Sequence, residues 1–220
     1  MNSEIKTIID YSTSALSPIL DLSGHFLYSS SDTLRLGKIY LMGHNPGGSP
    51  SGREDESIRR SIEELHHKTS NEYIDDSWMG RPAGTSPLQK RVCWLLENLD
   101  FDVRKVCASN LIFARSVDAA SSNFSELADI CWPVHKKILE IVKPKLIIAF
   151  GNSGDCPYEY LKDKLGYSSE NTHESGHGNW QCKAVKSDEE ITIVGLPHLS
   201  RYAVNRHPHV VDWIKTVSNY

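Results

Sequence analysis

Residues 37–52 of the 220-residue chain read GKIYLMGHNPGGSPSG, and the predicted fold is decided in this stretch. Residues 39–42 form a continuous apolar run of strand-forming side chains, which is typical of a strand covered on both faces. The chain then turns at residues 43–48, GHNPGG, where Pro46 fixes its own φ and disfavours helical backbone at Asn45. Open α/β sheets bind ligands where a buried parallel strand ends in such a loop, so we expect a binding site here. Neither GxGxxG nor GxxxxGKS/T is present, which disfavours a phosphate-binding loop of the usual kind.

Length and composition fit one globular domain spanning residues 1–220, in which residues 1–36 precede the core as a helix and a loop. The formal net charge of −4 means that any binding of nucleic acid must depend on a local basic face. No apolar run is long enough to cross a membrane, and the first residues lack a signal-peptide pattern, so a cytoplasmic location is expected. The five cysteines include no CxxC pair and are expected to be reduced, mostly buried thiols.

Strand-like and helix-like segments alternate along the chain. Strands are predicted at residues 38–42, 103–108, 145–150 and 191–196, and helices at 54–68, 87–99, 124–142, 155–165 and 208–219. Residues 166–180 are expected to form a loop. The alternation predicts an α/β fold, a three-layer α/β/α sandwich with a central, mainly parallel four-stranded sheet.

Three of the predicted strands end in polar side chains, at Asn45, Asn110 and His198. An asparagine at the end of a strand is, taken alone, most often a turn residue. Because the carboxyl ends of parallel strands share one rim, the three side chains are expected to converge. An Asn amide presents a donor and an acceptor side by side, which matches the edge of a pyrimidine imide or of an adenine.

A further polar group lies near the predicted loop, where His173, His177 and Cys182 follow one another and could be joined by Cys156. His and Cys side chains bind zinc, but this spacing fits no known zinc finger and polar loops often carry histidine. A metal site is therefore disfavoured, and no cofactor is predicted.

Three motifs together resemble the uracil-DNA glycosylase superfamily: GHNPG at 43–47, ASN at 108–110 and PHLSR at 197–201. The resemblance extends from about Gly37 to Trp213. Asn45 is similar to the amide found at this position in the mismatch-specific and single-strand-selective branches, whereas the founding branch has an aspartate there.

The chain departs from the family pattern at several places. Leu199 and Arg201 stand where the third motif usually or often has proline, and no Phe follows the first motif as the ring expected to stack on the base. Trp78 is the first candidate for that ring and Met79 the second. The N-terminal cysteine pair of the cluster-binding branches is also missing, so an iron–sulfur cluster is not expected.

The resemblance implies roles in hydrolysis of an N-glycosidic bond, after base flipping has taken the target base out of the DNA stack. Asn45 would orient the attacking water, and His198 would donate a hydrogen bond to the base oxygen where negative charge develops. Asn110 would read the edge of the extruded base. The implied base-binding residues are Gly43, His44, Pro46, Gly47, Trp78, Met79 and Asn110.

An amide cannot take up a proton at neutral pH, so Asn45 is expected to give slower turnover than a carboxylate, and Asn45→Asp to raise the rate. Contacts with the DNA backbone are proposed for Ser49, Ser200, Arg201 and Arg206. Ordinary surface charge explains each arginine about equally well.

The predicted function is a hydrolase of base-excision repair, a DNA glycosylase that removes a deaminated base, with uracil as the first expectation. One alternative is a glycosylase for another damaged base such as hypoxanthine. Another is a non-catalytic homologue that binds a nucleobase or nucleic acid. A small-molecule α/β hydrolase is disfavoured because no GxSxG motif is present. The expected partner is DNA containing a damaged base, with no membrane and no obligate protein partner.

Overall fold

A computed structural model describes residues 3–48, 56–116 and 123–219. Short 3-10 turns connect some of the regular elements. The helices and strands, in chain order, are α1 (Ser3–Ala15), β1 (Ile39–Gly43), α2 (Ile58–Glu63), α3 (Pro87–Asn98), β2 (Cys107–Asn110), α4 (Phe124–Val142), β3 (Leu146–Phe150), α5 (Pro157–Leu165), β4 (Glu170–Glu174), β5 (Gln181–Lys186), β6 (Thr192–Leu196) and α6 (Pro208–Ser218).

The strands form one six-stranded mixed sheet in the order β2-β1-β3-β6-β5-β4. The first four strands in this order are parallel, and β5 runs antiparallel to both of its neighbours. The predicted α/β fold with a mainly parallel core is thus present, but the expected count of four strands was wrong. The hairpin of β4 and β5 was missed because β4, ENTHE, is polar and mostly exposed, so it carries no apolar pattern.

Helices cover both faces of the sheet because successive strand residues point to opposite sides. On one face, Tyr40 and Ile147 pack with buried residues of α1, α2, α4 and α5. On the other face, Leu41 and Ile148 pack with buried residues of α3 and α6. Every residue of β1, β3 and β6 is buried, which explains why their sequences are continuous apolar runs.

Two elements begin four residues later than the sequence predicted, and the starts of the other predicted elements differ by smaller amounts or not at all. The helix expected at 54–68 begins at Ile58, where the Ser57 side chain accepts a hydrogen bond from the Arg60 backbone N–H, and it tightens into a 3-10 turn at Glu64–His66. The strand expected at 103–108 also begins late. Residues 103–105 form a 3-10 turn, so Asn110 is the last residue of β2 and does not follow the strand.

Every helix within the described ranges is too short or too polar to span a lipid bilayer.

A buried chain of hydrogen bonds ties α4 to the ends of β1 and β2. His135 Nε2 lies 2.8 Å from the carbonyl oxygen of Leu111, and a carbonyl only accepts, so Nε2 carries the proton. Nδ1 is therefore an acceptor, and the Tyr40 hydroxyl donates to it at 3.0 Å. The Ser109 hydroxyl lies 2.6 Å from that of Tyr40 and 3.4 Å from the Asn110 carbonyl oxygen. All three side chains are fully buried, and the chain of bonds fixes the backbone beside Asn110.

The neutral state of His135 makes the stability of the fold depend on pH. Burial lowers the pKa of this ring from 6.5 to about 4, so between these values only the unfolded chain takes up the proton. The stabilisation is complete above pH 6.5 and is lost as the pH falls toward 4, by on the order of 3 kcal/mol. His135→Gln does not titrate in this range and should flatten the pH dependence of the unfolding free energy, measured by urea denaturation.

His66→Gln is the matched control, because it removes an exposed imidazole from the surface. Equal pH slopes in the wild-type protein and in His135→Gln would contradict the assignment.

Candidate functional site

The carboxyl ends of the four parallel strands share one edge of the sheet, here called the carboxyl rim. It is formed by the ends of β1, β2, β3 and β6 and by the segments that follow them. In the sheet order β3 lies between β1 and β6, so the loops after β1 and β6 face each other across the end of β3. This is the position where parallel α/β sheets bind ligands.

Asn110 and Gly43 lie side by side at this rim. They are partners in the register of β1 and β2, and the Leu111 N–H donates to the Gly43 carbonyl at 2.9 Å. A Cβ atom placed on Gly43 would lie 1.9 Å from Asn110 Oδ1, so the amide lies directly over the glycine. Only glycine leaves room for the Asn110 side chain in this position.

The loop after β1 runs alongside the segment after β2. The Ile112 N–H donates to the His44 carbonyl at 3.0 Å, and the Ser116 N–H donates to the Pro46 carbonyl at 3.2 Å. Asn45 Nδ2 donates to the Pro46 carbonyl at 3.0 Å and to the Ser116 hydroxyl at 2.7 Å. Because a carbonyl accepts only from the amide nitrogen, the orientation of the amide is fixed, and Oδ1 is the atom left to accept from a ligand or water.

His198 is held as a neutral hydrogen-bond donor. The Ser200 backbone N–H donates to His198 Nδ1 at 3.2 Å, and the Ser200 hydroxyl lies 2.7 Å from the same nitrogen. Nδ1 is therefore unprotonated, and Nε2 carries the hydrogen. Burial lowers the pKa of His198 to about 4, with smaller contributions from His44 and Arg201. Arg91 of α3 fixes this loop by donating to the Leu199 and Ser200 carbonyls at 2.6 and 2.8 Å.

His44 is the first residue after β1, between Gly43 and Asn45. Its side chain is buried against Phe124, with ring centroids 5.0 Å apart, and Nε2 has no hydrogen-bond partner among the described residues. Burial lowers the pKa of His44, while Asp155 acts weakly in the opposite direction. The electrostatic effect of His44 on His198 means that the two rings share one neighbourhood, so the first and third motifs meet at the rim.

The two candidates for the residue that stacks on the base, Trp78 and Met79, differ in burial and in contacts. Trp78 is partly buried and packs edge-on against Tyr28 and Tyr73, with centroids 6.1 and 5.7 Å apart. The Asn110 side chain lies close enough to Tyr28 to affect its pKa, so Trp78 approaches Asn110 through Tyr28. Met79 has a left-handed φ of 56° and a side chain that is 87 % exposed.

The predicted backbone-contact residues are only partly described. Arg201 and Arg206 are exposed on the segment that follows His198. The Ser200 hydroxyl is engaged with His198, as above. Ser49 lies outside the described residues.

The sequence interpretation missed three residues that build the rim. Tyr28 belongs to a segment predicted as a plain connecting loop, yet its N–H donates to the Ala108 carbonyl at 2.8 Å along the outer edge of β2. Burial raises the pKa of Tyr28, so its phenol stays neutral beside Asn110. Arg115 donates to the Gly47 carbonyl at 2.7 Å, and Ser116 accepts from Asn45. In the sequence, only closeness to the ASN motif at residues 108–110 could have indicated Arg115 and Ser116.

Two surface clefts lined by described residues lie away from the carboxyl rim. One is at the amino ends of β1, β3 and β6, beside Lys38 and Lys145, and the other is at Asn171 and Val185 of the hairpin. The rim is therefore distinguished by its convergent polar groups and not by these clefts.

No arrangement of three or more His, Cys, Asp or Glu side chains suited to a metal ion occurs among residues 3–48, 56–116 and 123–219. The metal alternative at His173, His177, Cys182 and Cys156 thus has no support from the described part of the chain.

No protein-family model matches the chain, and no curated protein is significantly similar to it in sequence. Function is therefore inferred from the rim residues themselves.

The contact between Gly43 and Asn110 predicts a steep cost for one added methyl group. Gly43→Ala should lower the free energy of unfolding by about 1–3 kcal/mol, because Asn110 must leave its position to make room. Gly47→Ala is the matched control, since a Cβ atom there meets nothing within 4 Å. Urea denaturation measures both, and equal stabilities of the two variants would contradict the contact.

The lowered pKa of His198 predicts that its ring does not titrate near neutral pH. The imidazole resonances of His198, assigned by comparison with His198→Gln, should move only as the pH approaches about 4. A titration midpoint near the ordinary value of 6.5 in NMR spectra would show that the ring is not held in its neutral form.

Proposed function

We propose that the chain is a DNA glycosylase that hydrolyses the N-glycosidic bond of a deaminated base, with uracil as the preferred base. It would be a three-layer α/β/α member of the uracil-DNA glycosylase superfamily that acts in base-excision repair. The observation that carries the proposal is that one side chain of the rim can donate a hydrogen bond and another can accept one. Among the described residues, no partner engages His198 Nε2–H or Asn45 Oδ1, so the first can donate and the second can accept.

Hydrolysis of an N-glycosidic bond needs both a hydrogen-bond donor and a hydrogen-bond acceptor. The departing base becomes anionic and is stabilised by a donor, while the attacking water must be held by an acceptor on the other side of the sugar. Asn45 and His198 are on loops that face each other across the end of β3. The proposal places the reacting bond between these two loops.

Recognition of the base is assigned to Asn110. Its amide lies over Gly43 on one side and next to the Tyr28 phenol on the other, so it has little freedom to adapt to the edge of a different base. A rigid amide discriminates well because a mismatched edge leaves buried polar groups without partners. The target base must first be extruded from the DNA stack to reach this position.

In the proposed reaction, the water oxygen forms a bond to the sugar C1′ atom as the bond from C1′ to the base nitrogen breaks. The electron pair of that bond leaves with the base, and its negative charge spreads to a carbonyl oxygen that accepts from His198 Nε2–H. Asn45 Oδ1 accepts a hydrogen bond from the water and thereby orients it. The proton released by the water passes to solvent, because an amide does not hold a proton at neutral pH.

A second candidate is a non-catalytic protein that binds a nucleobase or nucleic acid at the same rim. It is favoured by the lack of a proton acceptor at Asn45, whose amide nitrogen is engaged by Pro46 and Ser116. The same rim also suits another deaminated base, such as hypoxanthine, because its keto oxygen equally accepts from an amide N–H.

The test is a glycosylase assay on labelled oligonucleotides that carry uracil, hypoxanthine or xanthine, each as a single strand and as a duplex. Alkali then cleaves any abasic site. We expect cleavage at uracil. Cleavage at hypoxanthine or xanthine alone would support the alternative base, and binding without cleavage would support the non-catalytic candidate. Neither binding nor cleavage would exclude all three.

Rim variants connect the activity to the named atoms. His198→Gln and Asn110→Ala should each lower the single-turnover rate by about 10²–10³-fold, since each removes a group that contacts the base. Asn45→Ala should also be slow. Asn45→Asp should speed the chemical step but cost about 1 kcal/mol of stability, because a carboxylate oxygen replaces the donor to the Pro46 carbonyl.

The controls are His66→Gln and Asn98→Ala, which change exposed residues outside the carboxyl rim. Loss of activity in the controls would show a general effect on folding, and full activity of His198→Gln would contradict the proposed role.

A further inference from the structure

The hairpin of β4 and β5 brings a turn to the carboxyl rim. β4 runs antiparallel to β5, and β5 runs antiparallel to β6, so the turn between β4 and β5 lies at the same end of the sheet as His198. This turn, residues 175–180, is here called the Trp180 turn. It is an addition to the edge of the parallel core.

The Trp180 turn is held against the segment that carries His198. The Tyr202 hydroxyl donates to the Ser175 carbonyl at 2.6 Å, and the Tyr202 N–H donates to the His198 carbonyl at 3.0 Å. On the strand side, Asn152 Nδ2 donates to the carbonyls of Gln181 and Gly195, at 2.7 and 2.8 Å. Both connections are short, so the turn keeps a fixed place relative to the proposed site.

A large flat ring is exposed on this turn. The Trp180 side chain is 40 % exposed, although the backbone around it is ordered by hydrogen bonds from Ser175 N–H to the Trp180 carbonyl and from Trp180 N–H to the His177 carbonyl. The His177 ring lies 4.6 Å from the Trp180 ring and is also exposed. An ordered, exposed tryptophan offers a stacking face at little cost in side-chain entropy.

The charge around the turn suits an anionic chain. Arg201 and Arg206 are exposed on the segment between His198 and α6, and the His207 ring stacks on Tyr202 with centroids 5.4 Å apart. Glu174, at the end of β4, is an acidic side chain that borders the turn. Cations beside an exposed aromatic ring form the combination with which proteins bind single-stranded nucleic acid.

We propose that the Trp180 turn is a base-stacking surface for single-stranded DNA, on which an unpaired base flanking the nucleotide in the proposed site stacks. A base within a duplex has both faces covered by its neighbours, so only an unpaired base can use the ring. The flanking position rests on the proposed function, but stacking itself does not need excision.

The experiment measures binding of an undamaged, fluorescently labelled single-stranded DNA oligonucleotide by anisotropy. Trp180→Ala should weaken binding about 5- to 100-fold, and Trp180→Phe should retain most of the affinity, because a flat ring remains. Tyr167→Ala is the matched control: Tyr167 is 45 % exposed, close to the value for Trp180, but it precedes β4 at the opposite end of the sheet.

Two further ligands separate stacking from attraction to phosphate. A strand of the same length with abasic spacers keeps its phosphates but has no base to stack, so Trp180→Ala and the wild-type protein should bind it equally. The matched duplex should also show no effect of the substitution. Equal single-strand affinity for Trp180→Ala and wild type would overturn the proposal, as would an equal loss on the abasic strand. Absence of glycosylase activity together with Trp180-dependent binding would overturn only the proposed function.

Discussion

The contact between the Asn110 amide and the bare backbone of Gly43 is the constraint on which the rest of the carboxyl rim depends. It requires β1 and β2 to pair in one register, which continues to the hydrogen bond from the Ile112 N–H to the His44 carbonyl. The two segments then stay side by side with the offset changed by two residues, where the Ser116 N–H donates to the Pro46 carbonyl. A shift by one residue would turn the polar side chains of β2 to the opposite face of the sheet. The position of Asn45 is thus set by the same pairing that positions Asn110.

Burial then determines the charge of the histidines at and beside the carboxyl rim. His44, His135 and His198 all have pKa values below the ordinary value, and burial is the largest cause in each case. These three imidazole rings are therefore polar but uncharged, whereas Arg201 and Arg206 lie exposed on the segment after His198. A neutral centre beside cations matches a ligand with an uncharged ring and an anionic backbone, which is the chemistry of a nucleotide within a strand.

The parts of the fold that could be predicted are those whose burial produces a recognisable apolar pattern in the local sequence. β1, β3 and β6 are covered on both faces, so each reads as an apolar run. β4 is exposed and could not be recognised in this way. Residues whose role depends on contacts distant in sequence were also missed. Ser116 meets Asn45 across 71 positions, and Tyr28 reaches Asn110 from a segment that resembles an ordinary loop.

The two edge strands of the sheet, β2 and β4, differ in what covers their free sides. β2 is covered along its free side by the segment that contains Tyr28, while β4 has no further strand beside it in the described sheet. In the described sheet, β4 is therefore the edge alongside which another extended chain could add. The glutamates at both ends of β4 make that addition unfavourable for an acidic or identical strand, because like charges would be brought together. The polar sequence that made β4 hard to recognise thus also disfavours pairing of β4 with a second copy of itself.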